Sequence, residues 1–421
     1  MSMISQYGTL AGADGAPDTN GAPGSDGLPL HGVRVLDLSH MMQGPWATEM
    51  LADLGADVIK VEHVRGGERG RESGTTRIGG HSAFYLAMNR NKRSLALDLK
   101  SEAGIAIARD LVARADVLVQ NFRPGVIGRL GLGWDEVHAL NPGLVYCSGS
   151  GYGGDEADRP GQDLLAQARS GAMWLTGQHG GPPSPAGPFI ADAHAASMLA
   201  LGVCAALFER TRTGVGRHLE IDLVGSMLHQ MTQELVSHHN GDRSSRRSPS
   251  PSNPFMEGPY GVYATSDGWI AISMCPTADL ARALGLPDLH ERFPDKAAAL
   301  EGRDDLVAEV GALLAPRTTA EALAVLEANG VWCAPVNDLD TMATDPVVGW
   351  AGRHARVTHP GIGPVDLVLN PLSVDGHRLP VRRPAPRHGE HSAEVLAELG
   401  LDAGDAERLA RDGIVHLGGA A

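Results

Sequence analysis

The sequence predicts an α/β protein built on a doubly wound parallel sheet, with a second, smaller unit placed within the chain. Three observations carry that expectation. A short strand, a helix and an alternating strand follow one another within about thirty residues of Val33, the βαβ unit of a parallel sheet. The pattern recurs between Ser94 and Gln120. A polar, Pro- and Ser-rich stretch, Ser237–Pro254, then separates these elements from a segment with hairpin signals.

Taken in order, Val33–Leu38 (VRVLDL) is rich in apolar and β-branched residues and reads as a strand. Trp46–Leu54 has helical spacing, with Gly55 as its stop. Asp57–Glu62 alternates as a second strand. Ser94–Leu99 is extended, Glu102–Ala115 is an amphipathic helix, and Val117–Gln120 is a short buried strand. Leu144–Ser148 adds another strand, Ala191–Arg210 a long apolar helix, and His218–Leu223 a further strand. A helix at Met227–Val236 precedes the polar stretch. Beyond it, YGVYATSDGWIAISM gives two strands turning at Ser266–Gly268, and helices follow at Leu280–Leu284 and Arg303–Leu314. The C-terminal segment reads as two short helices around Gly400.

Composition narrows the function classes. The net charge of −15 argues against a non-specific nucleic-acid binder, because the field repels a polyanion. Four scattered cysteines, Cys147, Cys204, Cys275 and Cys333, form no C-x-x-C pair, so neither a disulfide scaffold nor a zinc knuckle is expected, and no metal. No run of 18 apolar residues occurs, so no membrane span is expected. Residues 1–27 are Gly-, Ala-, Asp- and Pro-rich without a secretory pattern, which reads as a disordered tail on a soluble cytoplasmic enzyme.

Neither a G-x-G-x-x-G, a P-loop, an HExxH nor a GxSxG is present, so a nicotinamide cofactor is not licensed by the architecture. Candidate ligand segments sit where parallel strands end. His40-Met-Met-Gln43-Gly44-Pro45 follows the first strand, and the helix behind it would attract an anion, although Gly-Pro also simply punctuates a helix entry. Asn89–Ser94 packs three cations into four positions, with Lys100 nearby, and suits phosphates or a solvated loop. Asn121-Phe122-Arg123-Pro124-Gly125, with Arg129 beyond, sets an aromatic beside cations, as an adenine and its phosphates require, or makes an ordinary turn. Asp163 and Asp192 each precede a helical run, as catalytic acids or as caps. His179 lies in a Gly/Pro-rich loop.

Together, GVRVLDLSHMMQGPWATEMLADLGADVIKVE, NRNKRSLALDLKSEAG, ADVLVQNFRPGVIGRLGLGW, LNPGLVYCSGSGYG, ERTRTGVGRHLEIDL, YGVYATSDGWIAI and GEHSAEVLAELGL resemble the family III CoA transferases. That CaiB/BaiF-like group contains formyl-CoA transferase, carnitine CoA transferase and the α-methylacyl-CoA racemases. The resemblance implies a large Rossmann-like, CoA-binding domain from 28–225 and 340–421. It implies a small α+β domain from 226–339 containing a flexible loop, 237–254, and an interlocked homodimer. It places His40, His63, Leu97, Lys100, Asn121, Phe122, Arg129 and Tyr152 against CoA. His63 stands where an Arg is common, which weakens a phosphate contact unless the imidazole is charged.

The transferases of the family use an Asp in a G-x-x-D-G-P-P loop to open the thioester through an acyl anhydride and an aspartyl-CoA thioester. Here that loop reads Gly177-Gln178-His179-Gly180-Gly181-Pro182-Pro183, with Gly180 in the nucleophile's place. The racemases use a GHD His and a later Asp as a proton-transfer pair; here GHD reads Gly161-Gln162-Asp163. The expected function is CoA transfer between an acyl-CoA and a small carboxylic acid, with Asp163 or Asp192 as nucleophile. Three alternatives stand beside it: a racemase or isomerase using Asp192 with Asp163 or His179, a non-catalytic CoA-binding subunit paired with a paralogue in a heterodimer, and a lyase or hydrolase of CoA thioesters.

Overall fold

The computed structural model describes residues 26–241 and 247–418. Most of the expected tail lies outside them. The described chain forms two compact units, one from 26–162, 191–226 and 346–418, the other from 163–190 and 227–345. The segment 163–190 therefore packs with the second unit, whereas the sequence reading kept it with the first.

The first unit is organised by six parallel strands: β1 (Arg34–Asp37), β2 (Asp57–His63), β3 (Lys92–Leu97), β4 (Val117–Gln120), β5 (Val145–Ser150) and β6 (His218–Asp222). Their spatial order is 3-2-1-4-5-6, and Val415–His416 closes the β3 edge as an antiparallel strand. This is the doubly wound order whose topological switch point lies between β1 and β4. Strand side chains alternate between two cores. Val35, Val58, Val117, Val119 and Val145 face helices Gln43–Asp53 and Ile190–Thr213 through Leu51, Leu199 and Val203. Leu36, Ile59, Leu95 and Leu118 face helices Glu102–Ala113 and Ser392–Glu398 through Leu111 and Val395. The helix at Ser392–Glu398 brings the C-terminal segment onto the sheet. Helix Ile190–Thr213 is long and apolar enough to cross a membrane by length and composition. Its Ala196, Leu199, Val203, Ala206 and Leu207 are packed in the first of these cores, which accounts for that composition.

The second unit has a three-stranded antiparallel sheet in which Trp269–Ile272 lies between Gly261–Ala264 and Cys333–Pro335. Tyr263, Ile270 and Ile272 meet Leu280, Leu306, Val310 and Leu326 from the surrounding helices. The helix expected at Met227–Val236 is two helices, Leu223–Gln230 and Thr232–His239. Ser237–His239 thus belong to a helix rather than to a flexible loop. Downstream, Ser250 Oγ donates to Val262 O at 2.6 Å and Asn253 Nδ2 to Glu234 Oε1 at 2.7 Å, so the later part of that stretch is anchored.

The basic cluster Asn89–Arg93 is not an open phosphate patch. Lys92 and Arg93 begin β3, and Arg90, Lys92 and Arg93 are all buried. Arg90 Nε and Nη2 grip Asp53 at 3.0 and 2.6 Å, and the same guanidinium pairs with Glu49. Arg93 is held by Asp57, Glu394 and Glu398. Lys92 Nζ donates to Asp37 Oδ2 at 3.1 Å, Pro45 O at 2.8 Å and Asn89 Oδ1 at 2.8 Å. From the other side Lys60 Nζ lies 3.4 Å from Asp37 Oδ1 and donates to Ser39 O. Burial would raise the Asp37 carboxyl, but Lys60, Lys92, Ser39 and Thr48 outweigh it and hold it well below the usual carboxylate range. Burial brings the Lys92 ammonium down to about 8. Removing one partner from such a site strands the others. Lys92→Met should therefore lower unfolding free energy by about 3–5 kcal/mol, read as a reduced urea midpoint; a shift within error would show that the cluster contributes nothing to the fold.

Candidate active site

The carboxyl ends of β1 and β4 diverge at the switch point, and the residues after them are locked together. His40 N donates to Asn121 Oδ1 at 2.7 Å, and Asn121 Nδ2 returns a bond to His40 O at 2.8 Å. One amide side chain thereby fixes both loops. The next residue, Phe122, sets its ring edge-on to the His40 imidazole at 5.0 Å and is placed by a bond from its N–H to Gln120 Oε1.

Beneath this pair the polar lining is incomplete. Glu68 Oε2 accepts from Met41 N at 3.0 Å, while Glu68 Oε1, His40 Nδ1 and Gln43 Nε2 are buried without a hydrogen-bond partner among the described residues. Such orphans are costly unless a ligand or solvent satisfies them. Gln43 also lies so near the Gly149 backbone that a Cβ there would stand 2.3 Å from its Oε1 and would displace the amide. Burial raises the Glu68 carboxyl above its ordinary value. Burial, reinforced by the Lys60 charge, lowers the His40 imidazole to about 4.

The remaining residues assigned to the ligand by resemblance lie at the same edge of the sheet. His63 ends β2, with Nδ1 engaged by the Arg65 main chain. Leu97 ends β3 with its side chain in the core, which leaves only its main chain for a ligand. Lys100 is exposed, and its backbone N–H bonds Asp98. Arg129 is exposed at the end of the turn Val126–Arg129, and Tyr152 is nearly buried just after β5. In the chain these residues end or follow five neighbouring parallel strands, β3, β2, β1, β4 and β5, and the structure joins His40, Asn121 and Phe122 directly.

The catalytic candidates divide. Asp192 lies in the first turn of helix Ile190–Thr213 and is half-buried. Asp163 starts helix Asp163–Ser170 and is buried; it accepts from Gln167 Nε2 at 2.5 Å, and Gln167 Oε1 accepts from Ala186 N at 2.9 Å. That chain of bonds ties the Asp163 carboxylate to the backbone at Ala186 through Gln167. His179 is exposed, and its backbone N–H donates to Ser248 O at 2.8 Å. Arg247 and Glu68, which sequence reasoning left aside, prove to be placed beside candidate loops. Gln43 was quoted within its motif, and its partnerless amide is visible only in three dimensions.

Because His40 is held neutral when folded, it contributes stability that is present above the unfolded imidazole value of about 6.5 and lost as pH falls through about 4. A nuclear magnetic resonance titration should find its ring neutral from pH 5 to 8. A midpoint above 6 would overturn this account of its burial.

The model of CoA-transferase family III matches residues 30–392. The succinyl-CoA:glutarate CoA-transferase of Mus musculus is 32% identical over 92% of this chain and 90% of its own length. The succinate–glutarate CoA-transferase of Agrobacterium fabrum is 33% identical, covering 88% and 96%. The beta subunit of the succinyl-CoA–L-malate CoA-transferase of Chloroflexus aurantiacus is 35% identical, covering 88% and 94%. Among solved structures, a CaiB/BaiF family protein from Brucella suis superposes with a TM-score of 0.77 at 30% identity, covering 88% of this chain and 99% of that one. The chain belongs to CoA-transferase family III.

Proposed function

We propose that the protein moves CoA between an acyl-CoA thioester and a free dicarboxylic acid, with the CoA moiety held at the carboxyl edge of the parallel sheet. The observation that carries this reading is the reciprocal His40–Asn121 lock at the switch point, in a chain whose family membership spans 30–392. Dicarboxylates are favoured as the acid class because the relatives named above act on succinate, glutarate and malate. Exposed Lys100 and Arg129 would take CoA phosphates, His40 and Phe122 would take the edge of the ligand, and Gln43 Nε2 offers a donor to an oxygen.

On the family's route an enzyme carboxylate attacks the thioester carbonyl and expels the CoA thiolate, giving a mixed anhydride. The thiolate then attacks the enzyme's carbonyl and frees the first acid. The second acid reopens the enzyme thioester by the same two steps in reverse. With Gly180 at the loop position, Asp192 and Asp163 are the carboxylates proposed for that role. Gly180, together with a relative that is a beta subunit, also supports a second reading: a CoA-binding subunit that works with a paralogue rather than as an interlocked homodimer.

Incubation in D2O with succinyl-CoA and a panel of free carboxylates, followed by mass spectrometry of the CoA pool, tests the reaction class. New acyl-CoA species are expected. Deuterium at the α-carbon without CoA exchange would instead establish a racemase or isomerase. CoA binding without either reaction would favour the non-catalytic subunit.

A separate variant tests the binding edge. Arg129→Ala should weaken CoA binding about three- to tenfold, the scale of one partly screened charge–phosphate contact, and leave the urea midpoint unchanged. Equal affinity would remove Arg129 from the site.

A further inference from the structure

The segment that carries Phe122 and Arg129 is tied at both ends to one histidine that lies outside the candidate site. Gln120, Ser148 and His218 stand on the neighbouring strands β4, β5 and β6, with Gln120 the register partner of Ser148. Their side chains make a continuous row. Gln120 Nε2 donates to Ser148 Oγ at 2.9 Å, and Ser148 Oγ lies 2.9 Å from His218 Nε2. At the other end of the Gln120 amide, Oε1 accepts the Phe122 N–H at 2.9 Å.

The chain then returns to the same imidazole. Trp134, the first residue of helix Trp134–Leu140, stacks on the His218 ring at 5.3 Å with 18° between the planes. Tyr146 stands edge-on to His218 at 5.2 Å, and its hydroxyl donates to Leu132 O at 3.1 Å. The stretch from Phe122 to Trp134 thus leaves the row at Gln120 and comes back to it at His218.

The row also has a direction. The Phe122 N–H can only donate, so the Gln120 oxygen faces it and the amide NH2 faces Ser148. Ser148 accepts from that amide and keeps one hydrogen of its own. The arrangement that leaves no hydrogen idle gives it to His218 Nε2, with the ring proton on Nδ1. Gln120 is buried, so an amide that lost its far partner would be costly to hold in place and free to turn away from Phe122.

We propose that His218 is a positioning residue for CoA binding: as the acceptor that ends this row and the ring on which Trp134 rests, it sets the conformation of the segment that presents Phe122 and Arg129. It acts through that segment and not by contact with the ligand. The inference rests on the reading above that Phe122 and Arg129 meet CoA.

Titration calorimetry with coenzyme A tests it on variants that each remove one contact. Ser148→Ala cuts the row, and His218→Phe keeps a ring for Trp134 while removing the acceptor. Each should weaken CoA binding about two- to tenfold, the scale of one buried hydrogen bond, and Ser148→Thr, which keeps the hydroxyl, should return most of that loss. Phe122→Ala should itself weaken binding. In that background Ser148→Ala and His218→Phe should have little further effect, because they act through the ring already removed; a general loss of stability would add to it. Nitrogen-15 magnetic resonance of the unaltered protein at pH 8 supplies a readout that needs no variant to fold, and should find His218 protonated on Nδ1 and bare on Nε2.

Full CoA affinity in Ser148→Ala and His218→Phe, with Phe122→Ala weakened, would overturn this inference and leave the binding edge standing. Losses that add to that of Phe122→Ala, or a proton on His218 Nε2, would overturn it as well. Full affinity in Phe122→Ala would remove Phe122 from the ligand and overturn both.

Discussion

The first unit depends on one buried carboxylate shared by two buried ammonium groups. Asp37 ends β1, Lys60 is its register partner on β2, and Lys92 begins β3, so the cluster pins three adjacent strands at once. It also fixes the chain leaving β1. Thr48 Oγ1 donates to Asp37 Oδ2 at 2.7 Å, Ser39 N donates to Asp37 Oδ1 at 2.9 Å, and both lysines donate to carbonyls of the β1 loop and the following helix. Charges this deep are tolerated only when every hydrogen-bonding group is matched. Matching them orients Ser39, and with it His40, toward Asn121. The geometry of the switch point is thus set from beneath by electrostatics as well as by the parallel pairing of β1 and β4.

Much of the fold was legible because its signals were local. The strands Asp57–His63, Val117–Gln120 and His218–Asp222 and the helix Arg303–Leu314 all lie close to where alternation and helical spacing put them. The hairpin around Ser266–Gly268 was likewise readable from its turn residues. What failed depended on distant partners. Asn89–Arg93 reads as a solvated basic run until Asp37, Asp53 and Glu398 are seen to meet it, and no local pattern reports contacts that span up to 305 residues. Ser237–His239 carry polar side chains but have backbone groups that continue a helix, so composition misassigned them. The site divides in the same way. His40, Asn121 and Phe122 follow strands and could be found from position, whereas Glu68 carries no motif and is brought to the same loop only by the bond it accepts from Met41 N.

The charge distribution bears on how an acidic protein can hold a polyanion. A net charge of −15 disfavours long-range attraction of CoA, and the densest basic run in the sequence is consumed internally by Glu49, Asp53, Asp37, Asp57, Glu394 and Glu398. Arg71 is withdrawn in the same way: it donates to Glu62 Oε1 and Oε2 at 2.6 Å each and lies over the Tyr85 ring at 3.8 Å. The cations left exposed on the edge that carries His40 and Asn121 include Lys100, Arg123 and Arg129. Placed on loops after β3 and β4, they make a local positive rim on a negative body. Such a rim acts over roughly a Debye length of 8–10 Å at ordinary salt, so it selects an anion already at the sheet edge rather than drawing polyanions from a distance. On the proposed reading, such a rim would suit one compact anionic ligand, while the surrounding negative field disfavours an extended polyanion.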